Sequence, residues 1–154
     1  MNVIKNKRLL PVVLFFALLS LGMGRAPRKE ILVETQRMAL QSLVEDALGD
    51  IEFAYESKNS EELMGFLDKN FEGRERFQAV LESFFHSVER PHLHFVIDMI
   101  LADKNGVNVR LHWFKRGVTG SNVFIRAQGS SQFLFKRYPD GLRLKRIDKE
   151  NPFF

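Results

Sequence analysis

"RPHLHFVIDMILADKNGVNVRLHWFKR", residues 90–116, decides how this chain folds. Two runs of alternating apolar and polar residues flank "DKNG". Period-2 alternation interrupted by a glycine-containing break is the pattern of a β-hairpin. A three-residue loop, Lys104-Asn105-Gly106 with Gly106 left-handed, sets Asp103 opposite Val107. In that register Leu93, Phe95, Ile97, Met99 and Leu101 share a face with Val107, Val109, Leu111 and Trp113. This face is wholly apolar and is expected to pack inward. The other face sets His94, Val96, Asp98 and Ile100 against Asn108, Arg110, His112 and Phe114. A slip of one residue would mix the two sets, so their segregation favours this register.

The stretch also holds three of the four histidines and the only tryptophan. His92, His94 and His112 suggest a zinc site at first sight. In the expected register, however, His94 pairs with Arg116, four residues from His112. The offset along the strand is ~14 Å, whereas zinc ligands each lie about 2.0–2.1 Å from one ion. No metal is therefore expected. Asp98 facing His112, with Arg110 diagonal to it, is a possible acid–base pair, since a carboxylate can orient an imidazole. It falls on the outer face, where polar cross-strand pairing is the ordinary role.

Upstream of the hairpin the period is helical. Leu40, Val44, Ala47, Ile51 and Ala54, flanked by Leu43, Leu48 and Tyr55, form one stripe. "SKNS" stops this helix, and Asn59 or Ser60 can cap a short second one carrying Leu63, Phe66 and Leu67. A third helix starts near Gly73, with Phe77, Val80, Leu81, Phe84, Phe85 and Val88 on its stripe. Pro91 is expected to end it. Strands are expected over 92–102, 107–116, 122–137 and 142–148. Gly129 suggests a bulge or bend in the third, and "YPDG" is a turn. Helices followed by antiparallel strands read as α+β: three N-terminal helices packed on a curved antiparallel sheet of four or more strands.

The N-terminus reads as a targeting segment. Lys5, Lys7 and Arg8 precede the apolar run Leu9 to Leu21, and Gly22 and Gly24 are small residues placed for cleavage after Gly24. The expected organisation is a signal peptide over 1–24, a mobile leader over 25–33 and a domain over 34–154. The product would be exported, periplasmic or secreted, touching a membrane only through that segment. An uncleaved anchor is the alternative. The formal charge of +4 falls to +1 without the three basic groups of residues 1–24. The high pI therefore does not argue for nucleic acid, and no nucleic-acid partner is expected. With no cysteine, disulfides, thiol nucleophiles and thiolate metal sites are excluded.

"FAYESKN", "SEELMGFLDKNF", "EGRERF", "VNVRLHWFK", "RAQGSSQFLFKR" and "DGLRLKRIDKENPF" come in an order that resembles the nuclear transport factor 2-like superfamily, which includes SnoaL-like and ketosteroid-isomerase-like proteins. The resemblance runs from about residue 34 to the end. It implies a cone-shaped α+β fold with a ligand pocket between helices and sheet, and dimerisation through the outer sheet face. Its members include isomerases, dehydratases and non-catalytic binding modules, so fold alone selects no activity.

The pocket would be lined by Tyr55, Phe95, Ile97, Leu111 and Trp113. The interface would use Asp98, Arg110, His112 and Phe114. Ketosteroid-isomerase-like sites set a tyrosine beside acids in an apolar cavity. Tyr55 has no inward-facing acid in this register, and Asp98 and His112 face out. The sequence shows no glycine-rich phosphate loop, nucleophile elbow or zinc-helix motif. The expected protein is a non-catalytic module that binds a small apolar ligand or a protein, pairs with its own copy and carries no cofactor. The alternative is an isomerase, dehydratase or hydrolase using Tyr55, or Asp98 with His112.

Overall fold

The computed structural model describes residues 28–154. Three helices precede four strands: α1 Arg28–Glu56, α2 Ser60–Gly65, α3 Arg74–Ser87, β1 Val88–Asp103, β2 Gly106–Thr119, β3 Phe124–Tyr138 and β4 Gly141–Lys149. The strands form one antiparallel sheet in the order β1-β2-β3-β4. Met38–Phe154 form one compact unit. In the preceding unit, Arg37 Nη2 lies 2.9 Å from Glu34 Oε1. α1 begins inside the stretch expected as a leader. The segment expected as a signal peptide lies outside the described residues. Among those described, no helix is long and apolar enough to cross a membrane.

The helical stripes bury in the main as their spacing dictates, although Val80 of the expected α3 stripe is exposed and Val88 belongs to β1. Val44, Leu48, Ile51 and Tyr55 of α1 and Phe77, Leu81 and Phe85 of α3 enter the core. Asn59 caps α2: its Oδ1 accepts the Glu62 N–H at 3.1 Å and its Nδ2 donates to Glu62 Oε2 at 2.9 Å. The end of α2 is then stitched to β4. Asp68 N–H donates to Leu144 O, and Leu144 N–H donates to Phe66 O, each at 2.8 Å. Arg74 adds donors to the carbonyls of Met64, Leu67 and Asp68, satisfying groups that a helix C-terminus leaves unpaired.

Three expectations for β1 are corrected. Pro91 does not end α3, which stops at Ser87. It sits in β1 at a register shift between Glu89 and His92. An edge strand with an irregularity accommodates proline there because no ladder bond needs its missing amide. The hairpin loop is one residue shorter than expected, since Asp103 pairs with Gly106. The Asp103 carboxylate accepts the Asn105 and Gly106 amides at 2.6 and 3.1 Å, an Asx-type turn. Gly106, at φ 152°, belongs to the strand. A Cβ there would lie 2.2 Å from Phe135 O, so the close approach of β3 requires glycine.

The third correction is a bulge at Asp98, between the pairs Ile97↔Leu111 and Met99↔Arg110. The extra residue inverts the strand's faces beyond it. Leu93, Phe95 and Ile97 keep the inward orientation expected of them, but Met99 and Leu101 turn outward and Ile100 packs against the core. The shorter loop and the bulge displace the pairing of residues 92–97 by two positions in all. Their faces are therefore preserved while their partners change: His94 opposes Phe114, not Arg116.

Gly129 marks no bulge between β2 and β3. It pairs in continuous register with Trp113, and a Cβ on it would lie 1.8 Å from Glu150 Oε2 and 2.5 Å from Trp113 Cζ2. The glycine makes room for the Glu150 carboxylate and the indole together.

Candidate functional site

The concave side of the sheet is filled with rings. Tyr55, on the last turns of α1, lies 5.8 Å from Phe84, 5.4 Å from Phe85 and 6.1 Å from Phe153, centre to centre. Its hydroxyl donates to the Phe153 carbonyl at 3.4 Å, a long contact. Burial pushes the phenol above the usual tyrosine range, so it stays protonated and is not a ready base. Phe95, Leu111 and Trp113 are buried and Ile97 is half-buried, all in one apolar cluster with Tyr55. Phe153 occupies the middle of that set. It is fully buried, stacks on Phe133 at 6.3 Å and reaches Phe95 at 6.5 Å. No signal in the sequence marked it, because "NPFF" after the last strand has no periodicity.

The other catalytic candidates lie on the opposite face. Asp98 Oδ1 is 2.9 Å from His112 Nδ1, although the bulge sets Val96, not Asp98, directly opposite His112. The protruding bulge residue leans back to the imidazole. Arg110 opposes Met99 and Gln132 and forms no ion pair with a described carboxylate. Phe114 is exposed, as are Val96, Met99, Leu101 and Phe124. A depression of about 590 Å³ on this side is lined by His92, His94, Phe114, Arg116, Phe124 and Arg126, among others.

His92 and His94 are held by α1. His92 Nδ1 meets Glu56 Oε1, and His94 Nδ1 lies 3.3 Å from Glu52 Oε1. Glu52 also accepts the Phe95 amide, a donor on the free edge of β1 that would otherwise be open to pairing. The spacing matches: four helical residues rise ~6 Å and two strand residues ~6.8 Å. Both histidines thus face carboxylates of α1, and among the described residues no group of three or more metal-binding side chains comes together.

One inward residue was missed. β2 alternates buried and exposed positions without a break from Val109 through Gly117, which places Lys115 inside. It is 7% exposed. Its Nζ lies 5.4 Å from the Phe84 ring centre and 5.6 Å from that of Trp113, and no described carboxylate pairs with it. Beside it, the buried Trp113 Nε1 has no hydrogen-bond partner. The alternation that predicted Trp113 inward also predicted Lys115 inward. A lysine at the end of an apolar run reads instead as the point where the strand meets solvent.

No protein-family profile and no curated protein matches this chain. Solved structures do. A conserved protein from Planctomyces limnophilus superposes with a TM-score of 0.64 at 16% identity, covering 71% of this chain and 94% of that one. A nuclear transport factor 2-like superfamily protein from Salmonella enterica gives 0.62 at 10% identity, covering 75% and 93%. The chain has the nuclear transport factor 2-like fold. A further protein of this fold, from Novosphingobium aromaticivorans, gives 0.61 at 12% identity over 80% of this chain and 89% of its own. At such identities the nuclear transport factor 2-like likeness is one of architecture, and chemistry rests on the residues above.

Proposed function

We propose that this protein is an exported, non-catalytic binding module of the nuclear transport factor 2-like fold. It holds a small apolar ligand or a protein partner and associates with its own copy through the outer sheet face. The observation that carries this reading is the separation of the polar candidates. Tyr55 is enclosed by Phe84, Phe85 and Phe153 on one side of the sheet, while Asp98 and His112 meet on the other. A general acid or base must reach the reacting atom within hydrogen-bond distance, and these groups cannot share one substrate. The outer face suits self-association. Val96, Met99, Leu101 and Phe114 expose apolar surface around the Asp98–His112 pair, and such a patch can meet its own copy across a two-fold axis.

Sedimentation equilibrium of the purified protein across a dilution series tests this. A dimer is expected, and Asp98→Ala should weaken it by ~2–5 kcal/mol where the contact removes the pair from water. A wild type that stays monomeric at high concentration would overturn the interface. It would return Asp98 and His112 to the second reading, an isomerase, dehydratase or hydrolase, which their 2.9 Å contact favours.

A further inference from the structure

Lysines are almost never fully buried unless paired, because an ammonium loses its hydration on entering the interior. Lys115, only 7% exposed and with no described carboxylate paired to it, runs against that tendency. It occupies an inward position of β2, opposite Leu93 on one side and Ala127 on the other. Phe84 and Trp113 flank its ammonium. The rings offer attraction to a cation but no hydrogen-bond acceptor and no countercharge. Burial lowers its pKa for the same reason.

The second observation is independent. Trp113 Nε1 is the only fully enclosed side-chain nitrogen or oxygen among the described residues that lacks a partner. Buried polar groups are paired in folded proteins with few exceptions, so an orphaned donor calls for a reason. Here two donors without acceptors lie on consecutive inward positions of one strand. Lys115 keeps 7% of its surface exposed, so of the two donors its ammonium is the one that a ligand can approach.

We propose that Lys115 and Trp113 form the polar end of a binding site for an apolar monocarboxylate. The carboxylate supplies the missing countercharge to the ammonium, and the Trp113 ring, 5.6 Å from the ammonium, forms the wall beside it. The rest of the ligand is apolar because its surroundings are: Phe84 and Leu93 adjoin Lys115, and Phe84 in turn stacks on Tyr55. A phosphate or sulfate fits less well, since a strongly hydrated anion needs more donors than one ammonium. A neutral alcohol would leave the ammonium without a countercharge. This inference deepens the binding-module reading and rests on it.

Trp113 is the chain's only tryptophan, so its emission reports on the site directly. The purified protein is titrated with octanoate and, separately, with octan-1-ol, by fluorescence and by calorimetry. Octanoate is expected to give a saturable change and to bind at least ~tenfold more tightly than the alcohol, the size of a hydrogen bond to a charged group. Lys115→Met should remove that preference, and Lys115→Arg should keep most of it. A methionine relieves the buried charge, so its loss of binding would not reflect unfolding. Equal binding of acid and alcohol, no saturable response to octanoate, or an undiminished preference in Lys115→Met would each overturn the site. Sedimentation separates this failure from that of the parent reading: a chain that dimerises but ignores octanoate loses only the carboxylate site.

Discussion

Trp113 sits against its own cross-strand partner, Gly129, and the missing side chain there is what lets the indole lie close to the sheet. The surroundings are paired strands that cannot collapse into a vacated space. Trp113→Ala should therefore cost ~3–5 kcal/mol, read as a lower denaturant midpoint. A midpoint that hardly moves would mean the indole is not packed. Lys115, two residues on, contributes the opposite sign. Its folded pKa is depressed below the ordinary 10.5 by burial. Between the two values the unfolded chain binds more protons than the folded one, so stability rises as pH climbs through the folded pKa toward 10.5. Lys115→Met removes the cost of burying the charge. It should stabilise the protein at neutral pH by about 1 kcal/mol or more, and the gain should shrink as pH approaches 10.5. Urea midpoints of both proteins at several pH values would show it, and a gain that did not vary with pH would contradict the assignment.

Among the elements, α2 depends most on what it is tied to. It is six residues long, far below the length at which a helix holds itself. Its C-terminal end joins β4 through the Leu67↔Leu144 bridge and the bonds of Asp68. Burial disfavours the Asp68 carboxylate. Against this, the Tyr138 hydroxyl donates to it at 2.7 Å and the Asn70 amide at 2.8 Å, with Lys136 and Lys145 nearby. Together these outweigh burial and hold its pKa below the usual 3.8. A depressed carboxylate contributes stability above its unfolded pKa and loses it as pH falls through the folded one. Asp68→Asn should then lower stability at pH 7 by about 1–3 kcal/mol, and the gap to wild type should close as pH drops below 3.8. Thermal unfolding of both proteins from neutral to strongly acidic pH is the measurement. At the free edge of β1 the two carboxylates of α1 act as a second tie, but half-exposed pairs such as Glu56–His92 are worth only about 0–1 kcal/mol.

At the scale of the molecule, charge and surface bear on where the chain works. The basic excess lies largely in residues 1–24 and in residues 103–154, while residues 25–72 are acidic. The basic start, the short apolar run and the Gly22/Gly24 pair carry the proposal that residues 1–24 are removed during export. N-terminal sequencing of natively produced protein should begin at Arg25, and a full-length product in the cytoplasm would end that proposal. The outer face, with Phe114 and Phe124 exposed beside Arg116 and Arg126, is the surface through which the exported product would meet its own copy.

The order of elements, the buried stripes of α1 and α3 and the inward face of β2 were legible in the sequence, because each rests on a local period that packing only has to obey. The β1 register was not. It turned on whether Gly106 belonged to the loop or the strand and on one extra residue at Asp98, and both are decided by contacts with strands distant in sequence: the approach of Phe135 and the reach of Asp98 to His112. The pairing of Glu52 and Glu56 with His94 and His92 joins residues about forty apart, and neither partner carries a mark of the other. Phe153 belonged to no pattern until the helices and sheet left a space of its size. Lys115 was inward by its period all along. Only the tertiary structure reveals that no carboxylate among the described residues accompanies it, because a residue's partners are a property of everything folded around it and not of its neighbours in the chain.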